Sequence, residues 1–498
     1  MFKKSKEKNT DLNPKSKKSN KALNKVKKAF ILLFLILIII PPILTNHKKD
    51  EHSKLDNKAL FEISSFKEIF ENPIILEDYL SDRIGFRDNL IALNTNVLTQ
   101  SINILNHPLY DYGKNDEVFY KFSKPDDLSD YIDEFSNFVE KLQNYVEGEG
   151  KEFLFVITPS KNSVYPEYIP DTIVYNNENM DRLKKRLKEK NINTLNLTNY
   201  LINAKPEGRM FYKKYNVGHW SDRGSVVGIE NIIAQLRKTN SNVQPFNSQN
   251  FDTSYKLKKY LPTSKILINE NIETFIPKTV YSERDKVKLD GVHKELLLDE
   301  NYNTYINYYN PKAKDAANAL FFTGSYINNR YAYFSDSFSE INGIHNYNNV
   351  INADYYMNLF DSDIVLFEVA ETAINSEYFN YEKLKEKTFP DNYKNKLDYE
   401  KIKLKDRNQN FINLSIDTQN YLSNVEINID KSKLPDFDNI YIETKAKKIY
   451  TVDYDEKQDS LLSINTSMWN KDIEENKLIL SNSNTKINYW IDFSTLKK

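Results

Sequence analysis

The chain has 498 residues, with 69 Lys and Arg against 70 Asp and Glu; a net charge of −1 offers no bulk attraction to nucleic acid. It contains no cysteine, which excludes disulfides, thiolate metal sites and a cysteine nucleophile. The histidines outside one loop, His47, His52, His107, His293 and His345, show no ligand spacing, and no phosphate-binding or zinc-protease motif occurs, so neither metal nor cofactor is expected.

Residues 1–28 are rich in lysine and nearly free of apolar side chains, which predicts a disordered cytoplasmic tail. Residues 29–45, AFILLFLILIIIPPILT, carry no charge and read as one transmembrane signal anchor, ended or kinked by Pro41 and Pro42. The lysines before this run keep the N-terminus cytoplasmic, and neither a small-residue cleavage site nor a lipobox cysteine follows it. The expectation is a single-pass protein of the cell membrane with its large domain extracytoplasmic. Residues 46–110 form a polar linker and N-terminal helices, with apolar residues at spacings of three and four from Leu76 to Leu105. Arg83 and Arg87 fall one turn apart there, either on a salt-bridged face or at an anionic ligand.

Residues 111–390 read as an α/β domain. Ile132, Phe135, Val139, Leu142 and Val146 line one face of a helix from Leu128 to Val146, stopped by Gly148 and Gly150. An apolar strand at Phe153–Ile157, a helix at Met180–Lys190 and a strand at Thr194–Leu197 follow. A helix at Gly224–Lys238 with Ser221 as its cap completes an alternation that signals a parallel sheet flanked by helices. The polar stretch 239–318 interrupts this rhythm and reads as an insertion. The sheet resumes at Ala319–Thr323, followed by a helix at Asp354–Phe360 and a strand at Asp363–Val369. Residues 391–498 break into short alternating strands, the pattern of a β-sandwich domain; Trp469, Tyr489 and Trp490 are read as core packing in preference to a sugar-stacking platform.

Chemistry gathers at predicted strand ends, where ligands of an open α/β sheet bind. The run Ala319-Leu320-Phe321-Phe322 stops abruptly at Thr323-Gly324-Ser325, as when a turn lifts one hydroxyl from a sheet edge. His219 lies in Asn216-Val217-Gly218-His219-Trp220-Ser221-Asp222-Arg223-Gly224, just before a helix. Serine on such a corner with histidine on a loop is the minimum for nucleophilic acyl transfer. Lys161 follows another strand, and Glu368 sits inside an apolar one, where a carboxylate is costly unless it is paired or faces a cleft.

The order of the His219 segment, Gly324-Ser325-Tyr326 and Ile364 to Glu371 resembles the SGNH-hydrolase-like proteins related to the alginate O-acetylation factors, including the DHHW proteins. Phe153 to Lys161 with Val164-Tyr165-Pro166, and Asp82 to Asp88, add to the likeness, which runs from about Phe70 to about Glu371. The resemblance implies a serine acyl-enzyme that transfers an O-acyl group, by expectation acetyl, to a cell-surface polysaccharide. It implies Ser325 as nucleophile, His219 as base, and Gly324, Tyr326, Lys161, Asn216 and Trp220 as substrate or oxyanion residues. It also implies a multispanning membrane O-acyltransferase as partner. The chain departs from the family in having Thr323-Gly324-Ser325 where Gly-Asp-Ser is usual and Val217 where the acid lies two residues before the histidine. The sequence leaves Glu368, Glu371 and Asp222 as substitute acids, with the amide of Asn216 a further candidate to orient the ring, and keeps open a carbohydrate esterase or a non-catalytic glycan-binding or assembly factor.

Overall fold

The computed structural model describes residues 14–496 except 280–304 and internal stretches of one to four residues, among them 54–57, 123–126, 406–409, 457–460 and 469–472. Much of the expected insertion, His293 and Trp469 thus lie outside the described residues. The chain divides into two compact units, Met1–Tyr112 with Lys258–Glu270, and Gly113–Leu257 with Asn271–Lys498.

The first unit is helical. Its long helix runs Pro14–Ile43, so helical order begins within the lysine-rich segment, where none was expected. Leu23–Ile43 is long and apolar enough to cross a membrane. Shorter helices follow at Phe66–Glu71, Ile74–Arg83 and Arg87–Ile102. Arg83 pairs with Glu62 at 3.4 Å, as the salt-bridged reading expects, but it is buried and most of its bonds go to backbone. Only 3% exposed, it donates to the carbonyls of Asn46, Lys48, Leu60 and Phe61 at 2.5–3.2 Å. One guanidinium, with donors fixed in a plane, thus gathers two separate stretches of the linker.

The second unit holds a six-stranded sheet. Its strands, in chain order, are β1 (Glu152–Thr158), β2 (Thr194–Asn196), β3 (Tyr305–Tyr309), β4 (Asn318–Thr323), β5 (Glu340–His345) and β6 (Ile364–Ala370). Across the sheet they lie β2-β1-β6-β4-β5-β3. Every neighbour pair is parallel except β5 with β3, so the sheet is mixed where a parallel one was expected. Strand β3 also lies inside the stretch read as an insertion, and Lys258–Glu270 from that stretch groups with the N-terminal unit.

The helix Ser129–Gly148 lays its apolar stripe on the sheet: the Phe135 ring meets Phe155 of β1 and Phe367 of β6 at 6.0 and 6.2 Å. Phe155 and Phe367 pair across the ladder and so share a face. Glu178–Glu189 packs beside this helix. Asp222–Leu236 packs against β1 and is capped as expected, with Gly224 N–H donating to Ser221 Oγ at 3.0 Å.

The C-terminal region is β-rich. A five-stranded and a four-stranded sheet close on one core, with Ile427 and Leu462 facing Ile442 and Leu480 in the same cluster. It does not separate as a unit at the expected boundary of 390. Asn358 donates to the carbonyl of Thr451, and Glu149 accepts from both Asn392 and Thr451. Trp490 lies between two ammonium groups, Lys403 and Lys477, each 4.7 Å from its ring centroid.

Candidate active site

Strand β4 ends where Gly324 turns the chain into a four-residue helix, Ser325–Asn328. Residues 319–324, 326 and 327 are buried, and Ser325 alone in that run is exposed. The turn admits only glycine at 324. A Cβ there would stand 1.8 Å from the Tyr347 hydroxyl, which also accepts the amide of Ala370 at 3.0 Å.

His219 meets this corner. Its Nε2 lies 2.8 Å from Ser325 Oγ, and its Nδ1 lies 3.0 Å from Asn216 Oδ1. An amide oxygen only accepts, so Asn216 fixes the proton on Nδ1 and leaves Nε2 as the acceptor for the serine hydroxyl. Asn216 sits at φ 46°, a left-handed conformation that asparagine tolerates better than most residues. Its carbonyl receives the His219 amide at 3.2 Å, so one residue holds both the backbone and the ring of the histidine. Burial, aided by the Arg330 charge nearby, pushes the imidazole down to about 4, so it is neutral at pH 7 and able to take a proton.

The carboxylates take other positions, which corrects the expectation that one of them reaches the second ring nitrogen. Glu368 is fully buried on β6, where it accepts Thr158 Oγ1–H at 2.5 Å and Gly324 N–H at 2.9 Å. Burial pushes its carboxyl up to about 7 in spite of these donors. It therefore ties the end of β1 to the turn that carries Ser325. Glu371 accepts Ser160 N–H at 2.9 Å and Ser163 Oγ–H at 2.6 Å, bracing the loop after β1. Asp222 is taken by Tyr212, Arg330 and the Phe275 amide at 2.6–3.1 Å.

Of the residues expected to touch substrate or oxyanion, several are enclosed. Lys161, 3% exposed, is spent on Glu117 and on the carbonyls of Val118, Tyr212 and Lys213 at 2.8–2.9 Å. Trp220 is buried beneath the serine turn and donates Nε1–H to the Tyr326 carbonyl at 3.1 Å. The Tyr326 ring is also buried, its hydroxyl bonded to the Pro159 carbonyl at 3.1 Å. The Gly324 amide belongs to Glu368, and the amides of Ser325 and Tyr326 head the short helix ahead of its first internal bond.

Two side chains that sequence reasoning passed over flank the pair. Tyr120, 48% exposed, lies against Gly218, where a Cβ would stand 2.4 Å from its hydroxyl. Tyr378, 45% exposed, stands edge-on to Tyr347 at 5.8 Å, and burial, with Tyr378 nearby, pushes the Tyr120 hydroxyl up. Two rings among 34 tyrosines carry no signal of their own; Gly218 beside the histidine is the one local hint that a ring passes there. Among the described residues, no cluster of three or more His, Cys, Asp or Glu side chains is placed to hold a metal ion.

Residues 113–301 match the family model described as the SGNH hydrolase-like domain of acetyltransferase AlgX, and the chain thus carries an SGNH-like domain with a β-rich C-terminal region. Solved structures of similar fold include Bacillus cereus PatB1, with TM-score 0.42, 16% identity, and coverage of 53% of this chain and 96% of that one. The O-acetyltransferase domain of Pseudomonas putida AlgJ gives 0.38, 14%, 55% and 98%. A DHHW family protein from Eubacterium siraeum gives 0.36, 14%, 56% and 94%. No curated protein matches the chain.

Proposed function

We propose that this protein transfers an O-acyl group, acetyl by preference, to a cell-surface polysaccharide through an acyl-serine at Ser325. The observation that carries the reading is the 2.8 Å approach of His219 Nε2 to the one exposed hydroxyl on a buried turn. Oγ bonds the acyl carbon of the donor while its proton passes to Nε2. The amides of Ser325 and Tyr326 hold the oxyanion, and the donor alcohol leaves with the proton from His219. A sugar hydroxyl then gives its proton to Nε2 and attacks the acyl-serine; the bond to Oγ breaks as Nε2 returns that proton to it, and the sugar departs as the ester. Tyr120 and Tyr378 supply exposed faces on which a sugar ring can stack. In this reading Leu23–Ile43 anchors the protein, the sheet-bearing unit works outside the cytoplasmic membrane, and a multispanning membrane O-acyltransferase delivers the acyl group.

A serine-directed phosphonate tests the central claim: it should label the protein, and Ser325→Ala should abolish the label. A second reading, a non-catalytic glycan-binding factor, is favoured by one observation, an amide where a carboxylate would strengthen the base. An unlabelled Ser325 would decide for it. Label followed by release to water, with no transfer to any glycan, would decide for an esterase.

A further inference from the structure

Phe86, Leu90, Leu93 and Val97 recur at intervals of four, three and four residues, and so fall on one face at and along the helix Arg87–Ile102. They are 49, 47, 60 and 52% exposed, while Ala92 and Thr95 on the other side are buried at 3 and 0%. From Asn89 to Ile102 the helix carries no charged residue. An apolar stripe half exposed along a helix uncharged beyond Asp88 is not how a surface helix in water is built.

The stripe begins at the end of the apolar helix. Gly85 N–H donates to the carbonyl of Pro41 at 3.0 Å, and a Cβ on Gly85 would stand 2.6 Å from the side chain of Leu44. The next residue, Phe86, holds φ 61°, a left-handed conformation unfavourable for any side chain with a Cβ and more so for a bulky one. That strain is kept while the ring is left half exposed, beside the point where Leu23–Ile43 ends.

We propose that Phe86, Leu90, Leu93 and Val97 form a second membrane contact, lying in the interfacial layer of the leaflet at which Leu23–Ile43 ends. The proposal rests on the reading that this helix stays in the bilayer. Lipid is the occupant the stripe fits: it is one helix wide, apolar, continuous with the end of the span, and flanked by the neutral Asn89 and Asn94, while the nearest charges, Arg87 and Asp88, pair with each other at 3.2 Å in the first turn. A lipid surface asks for no shape complementarity, which a single row of side chains does not offer.

The absence of native cysteine allows a direct test with the full chain in phosphatidylcholine–phosphatidylglycerol vesicles. Single cysteines at Leu93, Val97, Leu35 and the exposed Asn484 would carry an environment-sensitive fluorophore, read with and without nitroxide-bearing lipids. Probes at Leu93→Cys and Val97→Cys should shift to shorter wavelength and lose intensity when nitroxide lipids are present, while Asn484→Cys should do neither. Water-like emission at Leu93 and Val97 with a quenched Leu35 probe would overturn the surface contact alone. An unquenched Leu35 probe would overturn the anchor, and the contact with it. A blue-shifted but unquenched Leu93 probe would mean that protein, such as a second copy, covers the stripe, and would reject lipid as its occupant.

Discussion

Asn216 replaces a carboxylate at the histidine's second nitrogen, and the replacement has a measurable signature. A carboxylate favours the imidazolium that forms when Ser325 attacks, whereas an amide only orients the ring. With the imidazole held down to about 4, the base stays unprotonated until pH falls toward that value. The acid limb of the kcat/KM profile should therefore lie near pH 4 and not near the ordinary histidine value. Asn216→Asp keeps the left-handed turn and adds a charge, so the limb should move upward; an unmoved limb would show that Asn216 does not govern the base. Folded His219 binds protons less readily than the unfolded chain, so its contribution to stability is complete above about pH 6.5 and is lost as pH falls through about 4.

Glu368 has the opposite sign. Its carboxyl is raised to about 7, so the stability linked to it is complete below the ordinary glutamate range and is lost as pH rises through about 7. Glu368→Gln should retain the fold and flatten this dependence, because an amide oxygen can still accept Gly324 N–H and Thr158 can turn its hydroxyl to accept. Glu368→Ala strands the Gly324 N–H, at about 1–3 kcal/mol, and leaves Thr158 the Val369 carbonyl at 3.3 Å; it should slow labelling of Ser325 as the turn loosens. Chemical denaturation across pH 5–8 checks both variants. At the glycan side, Tyr120→Ala and Tyr378→Ala should raise KM for the acceptor by two- to tenfold, the equivalent of about 0.5–1.5 kcal/mol of stacking, with kcat little changed.

At the scale of elements, the regular features of the core were legible and the polar ones were not. The stripe of Ser129–Gly148, the apolar β1, β4 and β6, and the cap at Ser221 all follow from periodicity and residue type. Strand β5 escaped because it reads Glu-Ile-Asn-Gly-Ile-His, which has neither alternation nor an apolar run. The fold accepts it by contacts no sequence pattern records: buried Asn342 takes hydrogen bonds from Tyr305 and Asn307 on β3, and Gly343 leaves room for the Tyr331 ring. In the site, Ser325 and His219 announce themselves by local grammar, a strand stopped by Gly-Ser and a histidine ahead of a cap. The partner of His219 Nδ1 depended on a left-handed turn three residues upstream, and Glu368 was read as an acid for the ring when its geometry serves the Gly324 amide. Gly324→Ala tests that corner: the Tyr347 hydroxyl must be displaced, an overpacking that costs about 1–3 kcal/mol or more. It should also abolish phosphonate labelling without touching the serine itself.

At the scale of the molecule, the C-terminal sheets and the α/β layer belong to one compact unit, with the helix Ala353–Leu359 packed against the strands Ile449–Val452 and Leu461–Met468. The two parts should unfold together. Trp220 reports on the first and Trp490 on the second, so a chain keeping only Trp220 and a chain keeping only Trp490 should give the same denaturation midpoint. Two separated midpoints would mean that the bonds of Asn358 and Glu149 to Thr451 do not couple them.

The grip of Arg83 on Asn46, Lys48, Leu60 and Phe61 sets how far the chain beyond the apolar helix can spread. Left extended, the segment from 46 to 61 would reach about 50 Å, at roughly 3.3 Å for each residue. Held on one guanidinium, Asn46, Lys48, Leu60 and Phe61 cannot spread apart, and the first helices form a collar at the foot of the apolar helix. Arg83→Lys keeps the charge but cannot fork to four carbonyls, and it should loosen the collar, seen as new protease cuts between 46 and 61 with the sheet-bearing unit unharmed.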